Sequence, residues 1–358
     1  MVVTEKEINL QNSAIYNISM CSLENFHTCF LKWLGQNYPQ QFLNALLNIN
    51  IPDNVNVRFE TQVRYSKDTI LDLQITLNDG QKTEFIVIEN KLKSYPTQEQ
   101  LIKYQNHFKD KKSTFILLSL VPNFEVPNGW QYVSYKNLAE KLSQISEFNN
   151  QYDEFLITDY INVVKVLANA FPETSTQQYD FYETNKLDKI GLKDIYVKWK
   201  TAELANYIRR TVERKDWCVG WSFHNKKGTI DIFKTFENPV FILGIQIEGN
   251  QYRYCLIALE KNTSKKAMEI REKIASELFS NGYWFNDTQD TKRNTLYKDF
   301  CGYKPDFIYR YFTLEKHYGV NSLKEIAYDD IIDKRIKNDL ENIDSNIDII
   351  KKIVSKNI

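Results

Sequence analysis

Two apolar segments joined by Asn78-Asp79-Gly80 constrain this chain more than any other feature of it. Asn-Asp-Gly is a tight-turn signal, because these residues accept the left-handed backbone that a strand reversal needs. Before the turn, Ile70-Leu71-Asp72-Leu73-Gln74-Ile75 alternates. Leu71, Leu73, Ile75 and Leu77 fall on one face and Asp72 on the other. After the turn, Phe85-Ile86-Val87-Ile88 is continuously apolar, as in a strand buried on both faces. The pair is expected to be an antiparallel hairpin inside a sheet. Its second strand ends in Glu89-Asn90-Lys91. Residues two apart on a strand share a face, so Glu89 and Lys91 project together, and pairing brings Asp72 to them. Two carboxylates can hold a hard divalent cation through oxygen. A lysine beside them can orient or deprotonate a water, or balance charge on a phosphate.

The surrounding pattern predicts a mixed sheet with helices on both sides. Strands are expected near 55–65, 70–77, 83–90, 114–119 and 130–134. The connection after the 83–90 strand, through a helix near 97–109, is long enough for a parallel crossover. Leu23, Phe26, Phe30, Leu31 and Leu34 sit at helical spacing, with Ser22 as N-cap and Glu24 in the first turn. A second helix is expected near 40–47, and two more near 135–145 and 151–171. Residues 1–20 read as a short helix or arm. Pro172–Gln178 is polar, aperiodic and reads as a linker. Beyond it the pattern gives a helix over 187–212, strands near 217–224, 229–236, 240–247 and 252–260, and a helix near 264–280. A strand near 307–313 and helices near 321–327, 329–342 and 343–354 complete an α+β half with an antiparallel sheet.

Asp72 with Glu89-Asn90-Lys91 resembles the core motif of the PD-(D/E)xK nuclease superfamily, with Leu71 in place of the proline. Gln100-Leu101-Ile102-Lys103-Tyr104 resembles the Q-x-x-x-Y helix of its RecB-like members. Glu24 and His27 resemble the acidic residue and histidine on the N-terminal helix of one bacterial subfamily. The resemblance covers about residues 20–170 and implies a restriction-endonuclease-like domain over 1–171. The α+β half over 179–358, beyond the linker and without a comparable charged cluster, is expected to be a recognition or oligomerisation domain. The resemblance also implies a nuclease that uses Mg²⁺ or Mn²⁺ and acts on nucleic acid, DNA rather than RNA, in a phage-defence or restriction setting. Asp72, Glu89 and the Asn90 backbone carbonyl would bind the metal. Lys91 would position the attacking water, and Glu24, with Glu60, would complete a second metal position. Gln100 and Tyr104 would support the site or contact substrate. The alternative is a catalytically inert nuclease fold serving as a nucleic-acid-binding or protein-interaction module, and a homo-oligomer is compatible with either.

Each of these residues has a plainer reading. Glu60 can pair with Arg58 or Arg64, Glu24 can serve the helix dipole, and His27 can pack beside Phe30 and Leu31. Gln100 and Tyr104, one helical turn apart, can simply anchor their helix. Lys93, Lys103, Lys109, Lys111 and Lys112 form a local basic set that can meet phosphates or merely be solvated. Lys plus Arg and Asp plus Glu number 46 each, so any basic groove must be local rather than global. The five cysteines contain no C-x-x-C pair, so neither zinc nor a disulfide framework is expected and small core residues are. The strand aromatics of the second half, Trp217, Trp221, Phe223, Phe233, Phe236, Phe241 and Tyr254, read as core packing ahead of base stacking. No segment suits a membrane span, and Glu5, Glu7 and Asn9 interrupt any signal-peptide core, so a cytoplasmic location is expected.

Overall fold

The computed structural model describes residues 13–67, 69–122, 124–171, 177–179, 185–237, 240–257, 265–283, 301–304 and 307–357. Most of the expected N-terminal arm, most of the linker and the end of the 252–260 strand lie outside the described residues. The chain divides into two compact units, Met1–Thr174 with Ile190–Ile195, and Ser175–Lys189 with Tyr196–Ile358.

The first unit holds a five-stranded sheet in sequential order: β1 (Asn56–Ser66), β2 (Thr69–Asn78), β3 (Thr83–Lys91), β4 (Ser113–Ser119) and β5 (Trp130–Ser134). β1, β2 and β3 are antiparallel, and β3, β4 and β5 are parallel. The Asp79 carboxylate accepts from the backbone N–H of Gln81 and Lys82 and so closes the hairpin turn. The helices are α1 (Ala14–Asn37), α2 (Pro39–Leu47), α3 (Gln98–His107), α4 (Tyr135–Leu142) and α5 (Gln151–Ala168). Side chains of Thr97, Ser134 and Asn150 cap α3, α4 and α5 by accepting the otherwise orphaned N–H of the third helical residue. The expected cap at Ser22 is corrected. Ser13 caps α1 by accepting from Tyr16 N at 3.1 Å, and the helix runs straight through Ser22. Glu24 therefore lies inside the helix, and a first-turn dipole role does not account for it.

One face of the sheet packs beneath α3, through Leu71, Val87, Leu101, Tyr104, Phe108, Phe115, Leu117 and Trp130. On β1, Phe59 belongs to the other face, where its ring meets Phe42 of α2 at 6.0 Å and lies against Gly35 of α1. Val63 and Tyr65 instead join the cluster beneath α3. Strict alternation would keep 59, 63 and 65 on one face. The strand therefore turns over between them, at Gln62, whose φ is +53°. Pairing continues on both sides of it, with Thr61 opposite Leu73 and Val63 opposite Leu71. The expectation that Leu71 shares a face with Leu73 and Ile75 is corrected in the same way, since Leu71 packs under α3.

The second unit holds an antiparallel sheet ordered β10-β11-β9-β8-β7-β6. Its strands are β6 (Cys218–His224), β7 (Lys227–Glu237), β8 (Val240–Glu248), β9 (Gln251–Ile257), β10 (Cys301–Lys304) and β11 (Phe307–Thr313). The expected helix over 187–212 is broken into Asn185–Lys189 and Lys193–Val212, with Gly191 at φ +71° between them. Trp217, Phe236, Phe241 and Tyr254 are buried in the core of this unit, and the Phe236 and Phe241 rings stack at 4.2 Å. The linker reading fails at its described end. Tyr179 N donates to Ile326 O and Tyr328 N to Gln177 O, so 177–179 is bonded into the second unit. Cys255 is buried as expected, whereas Cys29 and Cys218 are exposed. Among the described residues no helix is long and apolar enough to cross a membrane.

Candidate active site

The site forms where β3 ends under α3. The Glu89 side chain is 1% exposed, yet it is not packed by apolar atoms alone. Lys91 Nζ stands 2.7 Å from Glu89 Oε1. Gln100 Nε2, from the first turn of α3, donates to the same oxygen at 2.7 Å and approaches the Tyr104 hydroxyl at 2.9 Å. Tyr104 OH in turn donates to Ile70 O on β2 at 2.8 Å. Gln100 and Tyr104 thus tie α3 to both strands that carry the acidic residues.

Asp72 joins them across the strand pair. The β2–β3 register ends with Leu73 opposite Ile88, and just beyond it Asp72 Oδ2 accepts from Asn90 N at 2.9 Å. The Asn90 side chain points to the opposite face of β3 and is fully buried. Tyr135 OH donates to its Oδ1 at 2.5 Å, and its Nδ2 donates to Thr28 Oγ1 at 2.8 Å. The middle residue of Glu-Asn-Lys is therefore held by α1 and α4 while its neighbours face α3. Asp72 Oδ1 receives Gln62 Nε2 at 3.4 Å, and that amide also reaches Asn25 Oδ1 at 3.3 Å.

Glu24 reaches the segment just after β3, where its Oε1 accepts from Lys93 N at 3.2 Å and Ser94 N at 2.8 Å. Its charge is felt by Asp72, Glu89 and Lys91. Glu60 lies opposite Gln74 and pairs with Arg58 at 2.8 Å. Its charge acts on Tyr65 and does not count among the causes that shift Asp72, Glu89 or Lys91. His27 is buried against Tyr135, Tyr160 and Phe26, with Nδ1 3.4 Å from Tyr160 OH. Burial, with the Lys93 charge, lowers its pKa to about 3, so it is a neutral packed histidine. Of the basic set, Lys112 pairs with Glu84, and Lys111 sits over the rings of Tyr65, Phe85 and Phe108.

The electrostatics of the cluster are those of crowded acids away from water. Burial, then the Asp72 charge, pushes Glu89 up to about 8 against the pull of Lys91. Burial also raises Asp72. Burial works against the Lys91 cation, but Glu89, Glu24 and Asp72 outweigh it, and its pKa is raised. Lys91 therefore stays protonated at neutral pH and acts as a cationic donor rather than as a base. No protein donor reaches the buried Glu89 Oε2, and the Glu89 and Asp72 carboxyls lie within hydrogen-bonding reach, so the proton that Glu89 keeps in the metal-free protein can bridge them. A buried acceptor without a donor is costly. An orphan carboxylate oxygen beside a second carboxylate fits a divalent cation. Among the described residues no three His, Cys, Asp or Glu side chains form a ready metal cage. A hard cation that keeps several waters and takes one or two carboxylates does not need one.

Alternation and spacing pointed to Asp72, Glu89 and Lys91, and the family resemblance pointed to Glu24; the charges of these four act on one another in the structure. Neither the pattern nor the resemblance located Gln62, whose role depends on the turning-over of β1, or Tyr135, whose partner lies 45 positions earlier. Residues 24–162 match the profile of the PD-(D/E)XK nuclease superfamily, a span that contains every member of this cluster. No curated protein and no solved structure matches the chain.

Proposed function

We propose that this chain, whose residues 24–162 belong to the PD-(D/E)XK nuclease superfamily, is a metal-dependent nuclease that hydrolyses phosphodiester bonds of DNA. The observation that carries this reading is the orphaned Glu89 Oε2, buried beside Asp72 and flanked by the Lys91 ammonium. Asp72, Glu89 and the backbone carbonyl of Asn90 would hold Mg²⁺ or Mn²⁺. Once bound, such an ion polarises a phosphoryl oxygen and makes its own water a better nucleophile near neutral pH. Lys91, protonated at neutral pH, would donate hydrogen bonds to an attacking water or to a non-bridging phosphate oxygen and balance the charge that builds there. Gln100 fixes Glu89 by its bond to Oε1. Asn90, gripped by Tyr135 and Thr28, keeps Glu89 and Lys91 aimed at the opposite face. Glu24 lies close enough to add charge, though its Oε1 already serves two backbone N–H groups, so a second ion would use its other oxygen. Glu60, paired with Arg58, is a weaker candidate for that position.

The choice of DNA follows the family resemblance, as does a setting in restriction or phage defence. The second unit would recognise substrate or mediate self-association. Its core aromatics are committed to packing, so such a role falls to its surface. Purified protein incubated with linear, circular and single-stranded DNA and with RNA, with Mg²⁺, Mn²⁺ or a chelator, tests the reading. DNA cleavage that needs the ion supports it. Cleavage of RNA alone, or of nothing, contradicts it.

A further inference from the structure

We propose that Gln62 is a positioning residue of the cation site, a carboxamide latch that occupies Asp72 Oδ1 and yields it to the incoming ion. The inference rests on the nuclease reading above and concerns how that site is loaded. Gln62 is the one described residue inside a β-strand with a positive φ. The turning-over of β1 accounts for that backbone. It does not account for the side chain, which is exposed and has no packing duty. That side chain reaches Asp72 Oδ1 and Asn25 Oδ1 with the same nitrogen. A carboxylate is only an acceptor, so the Asp72 contact fixes the amide with its N–H inward.

Asp72 has two oxygens, and their partners differ in kind. Oδ2 is held by the backbone N–H of Asn90, a fixed part of β3. Oδ1 is held by a flexible, exposed amide at the long distance of 3.4 Å. A cation approaching from solvent meets Oδ1 beneath a donor that can leave, whereas the donor on Oδ2 is fixed backbone. The Asn25 carbonyl gives the amide a second acceptor close by once Oδ1 is taken. The latch therefore competes with the ion, and removing it must tighten ion binding by about the free energy of one weak charge-assisted hydrogen bond.

The test is calorimetric titration of Mn²⁺ into the full chain and into two variants. Gln62→Met keeps the length and the backbone strain of glutamine but lacks the amide. Gln62→Gly also lacks the amide, and it adopts a positive φ without strain, so it guards against misfolding. Both variants are expected to bind Mn²⁺ about three- to tenfold more tightly than the wild type. Unchanged or weaker binding in both overturns the latch. Tightening in Gln62→Gly alone assigns the effect to relief of backbone strain and also overturns it. A wild type that binds no Mn²⁺ defeats the nuclease reading itself, and the latch with it.

Discussion

Lys91 and Glu89 face each other at 2.7 Å along one strand, with side-chain exposures of 12% and 1%. Placing a lysine after four apolar residues is costly unless its charge is matched, and the match here is an acid that burial itself would neutralise. The pair exchanges charge compensation for position. The lysine is held beside the carboxylate that is to bind the ion, close enough to act on whatever that ion holds. This pair is in turn held by hydrogen bonds from α3 and β2, through Gln100 to Glu89 and Tyr104 to Ile70 O.

Lys91→Ala should keep Mn²⁺ binding and lose at least about a hundredfold in cleavage rate, the usual scale for a positioned proton donor or charge partner. The cost in stability depends on pH, because Glu89 without its partner takes up a proton instead. Melting of the metal-free variant should match the wild type near pH 6 and fall below it near pH 9. Equal turnover in the variant removes Lys91 from the chemistry.

Cation binding must expel the Glu89 proton. With its pKa raised from 4.5 to about 8, the folded, metal-free carboxyl is largely protonated at pH 7. Mn²⁺ titrations in buffers of different ionisation enthalpy should reveal release of up to about one proton per ion at pH 7. Affinity should climb with pH through about 8 and level off only above it. Identical apparent enthalpies in all buffers would show that Glu89 is already ionised.

The same shift fixes the pH dependence of folding. Between its ordinary value of 4.5 and about 8, the folded state binds more protons at Glu89 than the unfolded state does. Stability of the metal-free protein therefore declines as pH rises through that window. His27 works the other way. Its folded pKa of about 3 lies below the ordinary 6.5, so it costs stability only as pH falls below 6.5. Asp72, also raised by burial, acts in the same direction as Glu89, so above pH 6.5 the two carboxyls outlast the His27 effect. Melting temperature should drop from pH 6.5 to 8.5 without Mn²⁺ and hold with it.

Tyr135→Phe removes one hydroxyl and leaves Asn90 Oδ1 buried without that donor. A loss of about 1–3 kcal/mol in unfolding free energy is expected. If Asn90 aims its neighbours, Mn²⁺ affinity should also weaken severalfold, measured well below the melting temperature. Loss of stability with unchanged affinity would reduce Tyr135 to a packing role.

Much of the fold was legible because local chemistry and tertiary role agree in it. The Asn78-Asp79-Gly80 turn, the alternation of β2 and the apolar run of β3 each point to one state, and the strands follow them. The misreadings have physical causes. Ser13 starts α1 because its hydroxyl meets Tyr16 N, while Ser22 is a similar residue with no helix end to cap. The apolar pattern of 187–212 runs on past Gly191, where the chain takes φ +71° and the helix breaks. Alternation along β1 and β2 could not reveal that the pair turns over at Gln62, because a positive φ in a non-glycine residue leaves no mark in composition. The acidic residues and the lysine of the site were legible from spacing. Of the residues that hold them, Gln100 and Tyr104 were legible, whereas Tyr135, from a segment 45 positions beyond its partner, and Gln62, whose reach depends on the turning-over of β1, were not.

Cleavage of one DNA substrate by matched preparations of wild type and Asp72→Asn, with Mg²⁺ or Mn²⁺ present, tests the central claim most directly. Asparagine keeps an acceptor for Asn90 N and removes only the charge, so the fold survives, as metal-free melting can verify. The wild type should cut and be silenced by chelation, and the variant should fall to background with its ion affinity lost. Equal cutting by both proteins, or cutting that persists under chelation, would contradict a metal-dependent nuclease built on Asp72, Glu89 and Lys91.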